Sequence, residues 1–522
     1  MSALQLTYPF DDIRAGIAVL ATAIRFVGPE DGLQLLVVPA GGVVPTDAQV
    51  EQFRRLCWEL ALPYGPVPAI RILSAAEVPD EVLVRISVTG DPVADADAVL
   101  MLGSVARHFG SESRDDDLRL MRGDARLLRL EHQLAALRRA AHPAARAETK
   151  VRVAVLMQRV QVWGAVETVV AAARERDDVD LDVVLLDERG PSYRQHPRAG
   201  FEKLLADRGV VVRDEAWLGA HQGRIDVVVT PDPYMNRNNT ARGLSPRELA
   251  DAGIRVVLCP YAQALGGTPH NLGLLHDLPF HSMAWRIFAP SPGAAANFAT
   301  YCAAGGGHIR SLGSPKREHL LTDPAVSDAA AALRRKLGTA TVTLWNPHTY
   351  GDGEMATFVR FVKPMLDWFE RHRGSGLVVR PHPRLFADFE RTGHGDLVEQ
   401  FRRLVGRLPH VLLDESIDAG PALLAADALI SDLSSLIPEY AVLGRPIALL
   451  RETPHLQVNN DRACLDGAVM VDDAAGLRAF LQDVVPAGAR LDGADRNDIG
   501  AGARILEAIL ADFRTETAAV RA

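Results

Sequence analysis

The feature that most constrains the fold is a regular alternation of short apolar runs and helical segments that begins at residue 151. The runs are rich in β-branched residues and have the length of buried strands, with helical segments such as 165–174 between several of them. Apolar strands separated by helices are typical of a parallel sheet covered on both faces. The predicted strands of this first series are residues 151–157, 181–186, 210–212, 225–230, 254–259, 287–289 and 308–312.

A second series of the same kind follows a helix-rich junction, SDAAAALRRKL. Its predicted strands are residues 342–345, 377–379, 411–413, 428–430, 447–450 and 469–471. The final segment, 499–513, has the spacing of an amphipathic helix, and we expect it to pack back across the cleft between the two domains. The sequence therefore predicts an α/β protein with two facing Rossmann-like, doubly wound parallel sheets, which is the plan of GT-B glycosyltransferases. Some epimerases share that plan, so the fold alone does not fix the reaction.

A chain of 522 residues is too long for one domain. The segment before the first series is predicted to be an α/β accessory domain with strands at 33–39, 69–73, 82–88 and 98–102 and a helix at 50–62. The predicted division is an accessory domain at 1–112, a linker helix at 113–148, Rossmann-like domains at 149–322 and 323–500, and a C-terminal helix at 501–522.

The linker helix has leucines at alternating steps of three and four, with arginines spread between them. Two interpretations stay open. The helix either packs on its own domain with a solvated basic face, or docks on an anionic membrane surface. Pro143 and the Ala-rich stretch after it mark the boundary to the first Rossmann-like domain.

Composition excludes several classes of protein. The net charge of -9 argues against a dedicated nucleic-acid binder. Four scattered cysteines fall in no metal or redox spacing and suit a reducing compartment; they are Cys57, Cys259, Cys302 and Cys464. No run approaches the roughly 18 apolar residues needed to cross a bilayer. We expect a cytoplasmic protein, with peripheral contact at the inner face of the membrane left open by the basic helix.

The stretch SDLSSLIPEY, residues 431–440, predicts a strand end, a tight polar turn and a helix N-terminus. A cap at Asp432 would place Pro438 in the helix interior, whereas a cap at Ser434 or Ser435 places it in the first turn, where its missing N–H costs little. Free N–H groups and the helix dipole make such a terminus suitable for phosphate. The alternative is that the two serines merely cap the helix.

Three predicted strands of the second series run into polar loops. Residues 342–345 lead to His348, 377–379 lead to Arg380 and His382, and 428–430 lead to the serine turn. Ligands of open α/β sheets bind beyond the carboxyl ends of the strands. Two histidines beside a phosphate-type turn at one sheet edge therefore indicate a functional site, although a single histidine after a strand is more often structural.

The first Rossmann-like domain offers weaker signals. Gly164 lies in a loop with one glycine, and Lys316 follows the last predicted strand and could face the cleft. The loop 260–281 contains Gly266 and Gly267, which permit unusual backbone angles, and three histidines, His270, His276 and His281. An Asp-x-Asp pair at 180 and 182 precedes its predicted strand, so it would lie on the wrong edge, and no catalytic metal is expected.

The segments NLGLLHDLPFHSMAWRIFAPS, GSPKRE, LWNPH, RPHP and ISDLSSLIPEY together resemble the CDP-glycerol glycerophosphotransferase family, the teichoic-acid primases and polymerases. The resemblance covers about residues 150–480. Its most specific element is a D-x-S-S turn with an acid four residues beyond the second serine, a place that Glu439 fills. It implies that this turn and a histidine after a strand-borne arginine hold CDP-linked phosphates. The residues concerned are Asp432, Ser434, Ser435, Arg380 and His382.

One position departs from the family. The polymerases carry a base histidine in an H-G-T-P loop, where this chain has a glycine at 266. His270 or His281 could substitute, or the donor and acceptor differ. The resemblance implies transfer of a glycerophosphate, polyol-phosphate or sugar unit to a hydroxyl of a cell-envelope polymer or lipid-linked acceptor. The expected donor is CDP-activated, with a UDP-activated donor as the less favoured alternative. No cofactor or metal is expected.

The expected base is His348 or a histidine of the loop 260–281, because an acceptor hydroxyl needs one within hydrogen-bond reach. Arg380, His382 and the serine turn are expected to stabilise charge on the leaving nucleotide. Lys316 and Glu439 complete the expected donor site. Two rival functions remain: a GT-B epimerase or hydrolase of nucleotide sugars, and a catalytically silent nucleotide-binding subunit.

Overall fold

The structure, a computed structural model, describes residues 3–8, 34–39, 45–46, 48–53, 70–72, 84–87, 150–186, 198–233, 249–250, 252–267, 269–349, 357–451, 456–485 and 496–521. Tertiary contacts divide the chain into two compact units. One is made mainly of residues 1–135, and the other contains residues 136–186, 191–233 and 249–522. None of the helices in these described ranges is long and apolar enough to cross a membrane.

The N-terminal unit contains a four-stranded parallel sheet with the order β3-β2-β1-β4. Its strands are β1 (Ala3–Tyr8), β2 (Gln34–Pro39), β3 (Ile70–Ile72) and β4 (Val84–Ser87). The predicted strands at 33–39, 69–73 and 82–88 are confirmed, whereas β1 was not predicted. Residues 48–53 are helical, two residues ahead of the predicted start. The predicted strand 98–102 and linker helix 113–148 lie outside the described residues.

The first sheet of the larger unit has seven parallel strands in the order β11-β10-β9-β8-β5-β6-β7. They are β5 (Val151–Met157), β6 (Val179–Leu185), β7 (Val212–Asp214), β8 (Val227–Thr230), β9 (Arg255–Leu258), β10 (Arg286–Ala289) and β11 (Ile309–Ser311). The helices around it are α1 (Glu167–Arg174), α2 (Arg198–Asp207), α3 (Glu215–His221), α4 (Pro269–His276), α5 (Pro279–Met283), α6 (Pro292–Tyr301) and α7 (Pro315–Thr322).

The second sheet has six parallel strands in the order β14-β13-β12-β15-β16-β17. They are β12 (Thr341–Asn346), β13 (Ser375–Val379), β14 (Val411–Leu413), β15 (Ala428–Ser431), β16 (Ile447–Leu450) and β17 (Val469–Val471). Its helices are α8 (Pro324–Leu337), α9 (Phe358–Arg371), α10 (Leu385–Arg391), α11 (Gly395–Gly406), α12 (Gly420–Ala425), α13 (Leu436–Ala441) and α14 (Ala474–Ala479).

Both sheets of the larger unit are doubly wound. Successive residues of one strand enter different cores: Leu344 packs in one apolar cluster and Trp345 in another. Such two-sided burial explains why these strands read as continuous apolar runs. The predicted fold class, α/β with two Rossmann-like parallel sheets as in the GT-B plan, is confirmed.

The junction helix α8 shows how local sequence sets its ends. Asp323 accepts a hydrogen bond from the Ala325 N–H at 2.8 Å, and Pro324 occupies the first helical position, where a missing N–H costs nothing. Gly338 ends the helix in the left-handed region, with φ of 65°. The predicted junction is therefore a well-capped helix between the two sheets.

The last helix, α15 (Ala501–Arg521), belongs to the core of the first sheet rather than the second. Its apolar face packs against α1 and includes Ile505, Leu506 and Ile509. Polar bonds add to the contact, since Glu516 accepts from the indole N–H of Trp285 at 2.6 Å. The predicted return of the final helix is confirmed, and the helix begins at Ala501, the first residue of the predicted C-terminal helix 501–522.

The segment 260–281 differs from the predicted loop, because it contains α4 and α5. Gly266 and Gly267 are needed for close approach and not for unusual angles, because neither has a positive φ. A Cβ on Gly267 would lie 2.7 Å from the carbonyl oxygen of Val458 in the second domain. The Gly267 N–H donates to the Gln457 carbonyl at 2.9 Å, so backbone meets backbone between the two Rossmann-like domains.

Gly164 is less closely packed. It lies in a 3₁₀ turn, Val160–Ala165, and a Cβ there would lie 3.4 Å from Cγ of Lys316 on α7, which is an ordinary contact distance. Packing at this position therefore does not require a glycine. The Asp-x-Asp pair lies inside β6 rather than before it, and Asp182 pairs with Arg213 at 2.9 Å.

We expect Gly267→Ala to destabilise the protein by about 1–3 kcal/mol, because a methyl group cannot fit against rigid backbone without displacing it. The measurement is the denaturant or thermal unfolding midpoint. Gly219→Ala is the matched control, since Gly219 lies in α3 with nothing within 4 Å of an added Cβ. The control should be neutral or slightly stabilising, as alanine favours the helix. Equal midpoints for Gly267→Ala and wild type would contradict the close approach.

Candidate functional site

The candidate site lies where the strand order of the second sheet reverses. Strands β12 and β15 are neighbours, and Asn346 pairs with Ser431 at their carboxyl ends. The chain leaves β12 toward β13 and β14 on one side, and continues from β15 toward β16 and β17 on the other. The loops separate at such a point and open a crevice in which open α/β sheets bind ligands.

Asp432 lies at this reversal point with no exposed surface. Its Oδ2 accepts the backbone N–H of His348 at 2.7 Å, and its Oδ1 accepts the hydroxyl of Thr357. Burial raises the pKa of Asp432 to about 6, although the hydrogen bonds from His348 and Thr357 oppose that shift. The carboxylate therefore joins the loop after β12 to the start of α9, and a phosphate could not reach it directly.

His348 and His382 lie side by side, with ring centroids 4.8 Å apart and planes tilted by 46°. Both residues are half-buried. The Nδ1 of His382 accepts the backbone N–H of Arg384 at 3.2 Å. A neutral His382 therefore carries its proton on Nε2 and is a hydrogen-bond donor there. The structure thus brings together the two histidines that the sequence placed after neighbouring strands.

The serine turn leads into α13 as predicted, with Ser435 at the cap position and Pro438 in the first turn. The two serines differ. Ser434 Oγ donates to Oδ1 of Asn346 at 2.7 Å and accepts the Leu436 N–H at 3.2 Å, whereas Ser435 makes no side-chain capping bond. Ser434 thus fixes the turn, and Ser435 is the serine whose hydroxyl is not used for capping.

Arg380 follows β13 as predicted, but its guanidinium is held by its own domain. It forms an ion pair with Asp414 at 2.6 Å and donates to the Ser416 carbonyl at 2.9 Å. Asp414 itself directly follows β14, on the same sheet edge. The guanidinium therefore supports the loop after β14, and its positive charge near the site is partly compensated.

Lys316 and Glu439 are paired with each other. Lys316 Nζ, on α7 of the first Rossmann-like domain, donates to Oε1 of Glu439, on α13 of the second, at 2.6 Å. Glu439 is buried and Lys316 is about one-fifth exposed. This bond links the two domains beside the serine turn and leaves the ammonium group close to the N-terminus of α13.

His281, one of the candidate bases in segment 260–281, lies in the apolar core and not beside His348 and His382. His281 is 1% exposed, accepts the Leu278 N–H at 3.0 Å, and packs edge-on against Phe298. Burial, together with the nearby His276 and His308, lowers the pKa of His281 to about 3, so it is a neutral core residue. His270 lies in the first turn of α4, and its side chain is outside the described part of the structure.

Three site residues were not predicted from the sequence. Asn346 holds Ser434, Thr357 holds Asp432, and Asp414 holds Arg380. Asn346 and Asp414 each stand at the carboxyl end of a strand, so the edge rule that selected His348 could have selected them. Thr357 carries no such signal, because it approaches from the start of a distant helix.

Comparisons with known proteins give fold likeness at low similarity. No protein-family profile and no curated protein matches this chain. Among solved structures, the UDP-GlcNAc 2-epimerase from Neisseria meningitidis bound to UDP-GlcNAc shares 12% identity, with 69% of this chain and 100% of that one covered and a TM-score of 0.47. The wall teichoic acid polymerase TagF shares 13%, with 75% and 98% covered and a TM-score of 0.47. A putative UDP-N-acetylglucosamine 2-epimerase from Listeria monocytogenes shares 14%, with 70% and 97% covered and a TM-score of 0.48.

Asp432→Asn is expected to keep the fold, because its amide oxygen can accept from the His348 N–H while its NH₂ donates to the hydroxyl of Thr357. Asp432→Ala leaves buried donors unpaired and should cost about 1–3 kcal/mol for each. Thermal unfolding of both variants at pH 7 measures the difference. Equal losses for the two variants would contradict the role of Asp432 as a hydrogen-bond acceptor for these two groups.

The same pair tests the titration of Asp432. Its folded-state pKa of about 6 exceeds the unfolded value near 3.9, so the folded protein binds the proton more tightly. The wild type should therefore gain stability from this group as the pH falls from about 6 to about 4, and Asp432→Asn should lack that gain. Unfolding midpoints at pH 7 and pH 5 give the comparison, and parallel pH profiles would exclude the raised pKa.

Proposed function

We propose that this chain transfers a glycerophosphate or related polyol-phosphate unit, or a sugar, from a CDP-activated donor to a hydroxyl of a cell-envelope polymer or lipid-linked acceptor. The observation that carries the proposal is the meeting of His348, His382 and the serine turn at the reversal point of the second sheet. Such a point is where open α/β sheets bind nucleotides. The motif resemblance to CDP-glycerol glycerophosphotransferases supports the choice of donor.

The donor phosphates are proposed to lie against the Ser435 hydroxyl and the first amides of α13. Ser435 is the suitable serine, because Ser434 is held by Asn346. Lys316 stands beside this helix through its bond to Glu439 and adds positive charge from the facing domain. Asp432 is assigned a supporting role, holding the His348 loop rather than touching phosphate.

In the proposed transfer from CDP-glycerol, one bond to phosphorus forms and another breaks. An acceptor oxygen forms a bond to the glycerol-bearing phosphorus, the bond from that phosphorus to the CMP oxygen breaks, and the acceptor proton goes to His348. With a nucleotide-sugar donor the leaving group is a nucleoside diphosphate. His382, which donates from Nε2 when neutral, is proposed to donate a hydrogen bond to the phosphate oxygen on which negative charge develops.

Ser435→Ala is expected to weaken binding of CDP by about ten- to a hundredfold, because one hydrogen bond to a charged oxygen contributes roughly 1.5–3 kcal/mol. Calorimetric titration with CDP and with UDP measures the loss and the base preference. Ser327→Ala, on the exposed side of α8, is the matched control and should bind as wild type. If Ser435→Ala binds CDP as tightly as the wild type, the serine turn only caps the helix and does not bind phosphate.

Incubation with CDP-glycerol and candidate nucleotide sugars, with and without acceptor, tests the reaction itself. Acceptor-dependent release of CMP or a nucleoside diphosphate is expected, and His348→Ala should reduce it by about 10²–10⁴-fold as loss of a general base. His382→Ala should lower the rate as well. Full rates in both variants would remove these residues from the mechanism while leaving the reaction class intact.

The other outcomes of this incubation identify the rival functions. Turnover without acceptor would favour an epimerase or hydrolase of nucleotide sugars. Tight nucleotide binding without any turnover would favour a catalytically silent nucleotide-binding subunit. The glycine at 266, where the polymerases carry their base histidine, is consistent with that alternative.

A further inference from the structure

A second polar cluster lies at the contact of the two Rossmann-like domains, centred on His319. The imidazole is on α7, and 7% of its surface is exposed. Its Nδ1 lies 3.3 Å from Glu167 Oε2 on α1 and 3.3 Å from Asp323 Oδ2 at the start of α8. Its Nε2 lies 3.4 Å from Asp418 Oδ2, in the loop before α12 of the second domain. Three carboxylates from three segments thus surround one ring.

This arrangement requires a positive charge on the ring. A neutral imidazole has one N–H and one lone pair, so one of its nitrogens would face a carboxylate without a proton between them. Two carboxylates lie at ion-pair distance from Nδ1, and a third is hydrogen-bonded to Nε2. The positively charged imidazolium is the form of the ring that attracts all three.

We propose that His319, as an imidazolium, is a proton-dependent link that holds the second Rossmann-like domain to the first through Asp418. Glu167 and Asp323 anchor the ring on the side of the first domain and the junction helix. Asp418 takes the remaining N–H across the domain contact. Loss of one ring proton breaks one side of this bridge.

The neighbouring charges are consistent with such a link. Glu167 also forms an ion pair with Arg208, in which its Oε1 lies 2.5 Å from the Arg208 Nε. The positive charge of Arg380 helps to lower the pKa of Asp418. Lys316 lies one turn before His319 on α7, but its ammonium is engaged with Glu439. In the described part of the structure, the charged groups that contact the His319 ring directly are all carboxylates.

The link reaches the candidate donor site. Asp418 Oδ1 accepts the Gly420 N–H at 2.8 Å and thereby shapes the loop between β14 and α12. The same loop holds Arg380 through the Ser416 carbonyl, and the Ser416 hydroxyl bonds the Asp418 carbonyl at 3.0 Å. The protonation state of His319 therefore affects the loop between β14 and α12. That loop holds the Arg380 guanidinium beside the proposed nucleotide site.

The pH range follows from the sign of the shift. Burial alone lowers the pKa of His319, but the hydrogen bond to Asp418 and the charges of Glu167, Asp418 and Asp323 outweigh it, so the pKa is raised. The unfolded value is near 6.5. The link is therefore complete below about pH 6.5 and is lost as the pH rises through the higher folded-state value.

The test is a double-mutant cycle of His319→Gln and Asp418→Asn on the thermal unfolding midpoint at pH 6.0 and pH 8.5. At pH 6.0 each single change should lower the midpoint by several degrees, and the double change should add little to either. At pH 8.5 the coupling between the two positions should be weaker, because the ring loses its proton as the pH rises through its raised pKa. His394→Gln, at an exposed histidine of the same protein, is the matched control and should leave the pH profile of the midpoint unchanged.

A direct titration keeps the inference testable if a variant does not fold. In the wild-type protein, the His319 ring resonance should titrate above pH 6.5 by NMR. A midpoint below 6.5, or equal coupling at both pH values, would overturn the proposal.

Discussion

The candidate site depends on one buried carboxylate. Asp432 ties the loop after β12 to the start of α9 through the His348 N–H and the Thr357 hydroxyl. Asp432 itself is distant in sequence from both partners, since it is separated from Thr357 by 75 positions and from His348 by 84. Burying a carboxylate costs free energy unless its oxygens are bonded, so the site is stable only while these partners are in place. The backbone position of His348 follows from that requirement.

Polar bonds also connect the two Rossmann-like domains. Lys316 meets Glu439, His319 meets Asp418, and the backbone of Gly267 meets that of Gln457. Contacts of this kind are directional and depend on ionisation or close approach, unlike the apolar packing inside each sheet. Apolar packing adds to these polar bonds, since Leu265 and Leu320 of the first domain lie in a core cluster of the second sheet.

Much of the fold follows from sequence pattern. Every strand predicted in the two series is present, with ends displaced by one or two residues, because apolar runs buried on both faces are distinctive. The edge rule then placed His348 and His382 together correctly. It could not show that Arg380 is held by Asp414 or that His281 is enclosed in the core, because both depend on partners chosen in three dimensions. Nor could it show why glycine stands at 266 and 267, where neither residue has a positive φ. A Cβ on Gly267 would meet backbone of the second domain, and a Cβ on Gly266 would meet the side chain of Asn271.

The position of α15 has a consequence for how the chain acquires its structure. The core of the first sheet includes Ile505, Leu506 and Ile509, and Arg176 bonds Glu507 across a separation of 331 positions. During synthesis the apolar surface of α1 must wait until this last helix emerges. The second sheet is built from one continuous stretch and needs no such segment. Of the two Rossmann-like domains, the one that is synthesised first is thus completed last, and its exposed apolar surface is available to a chaperone in the interval.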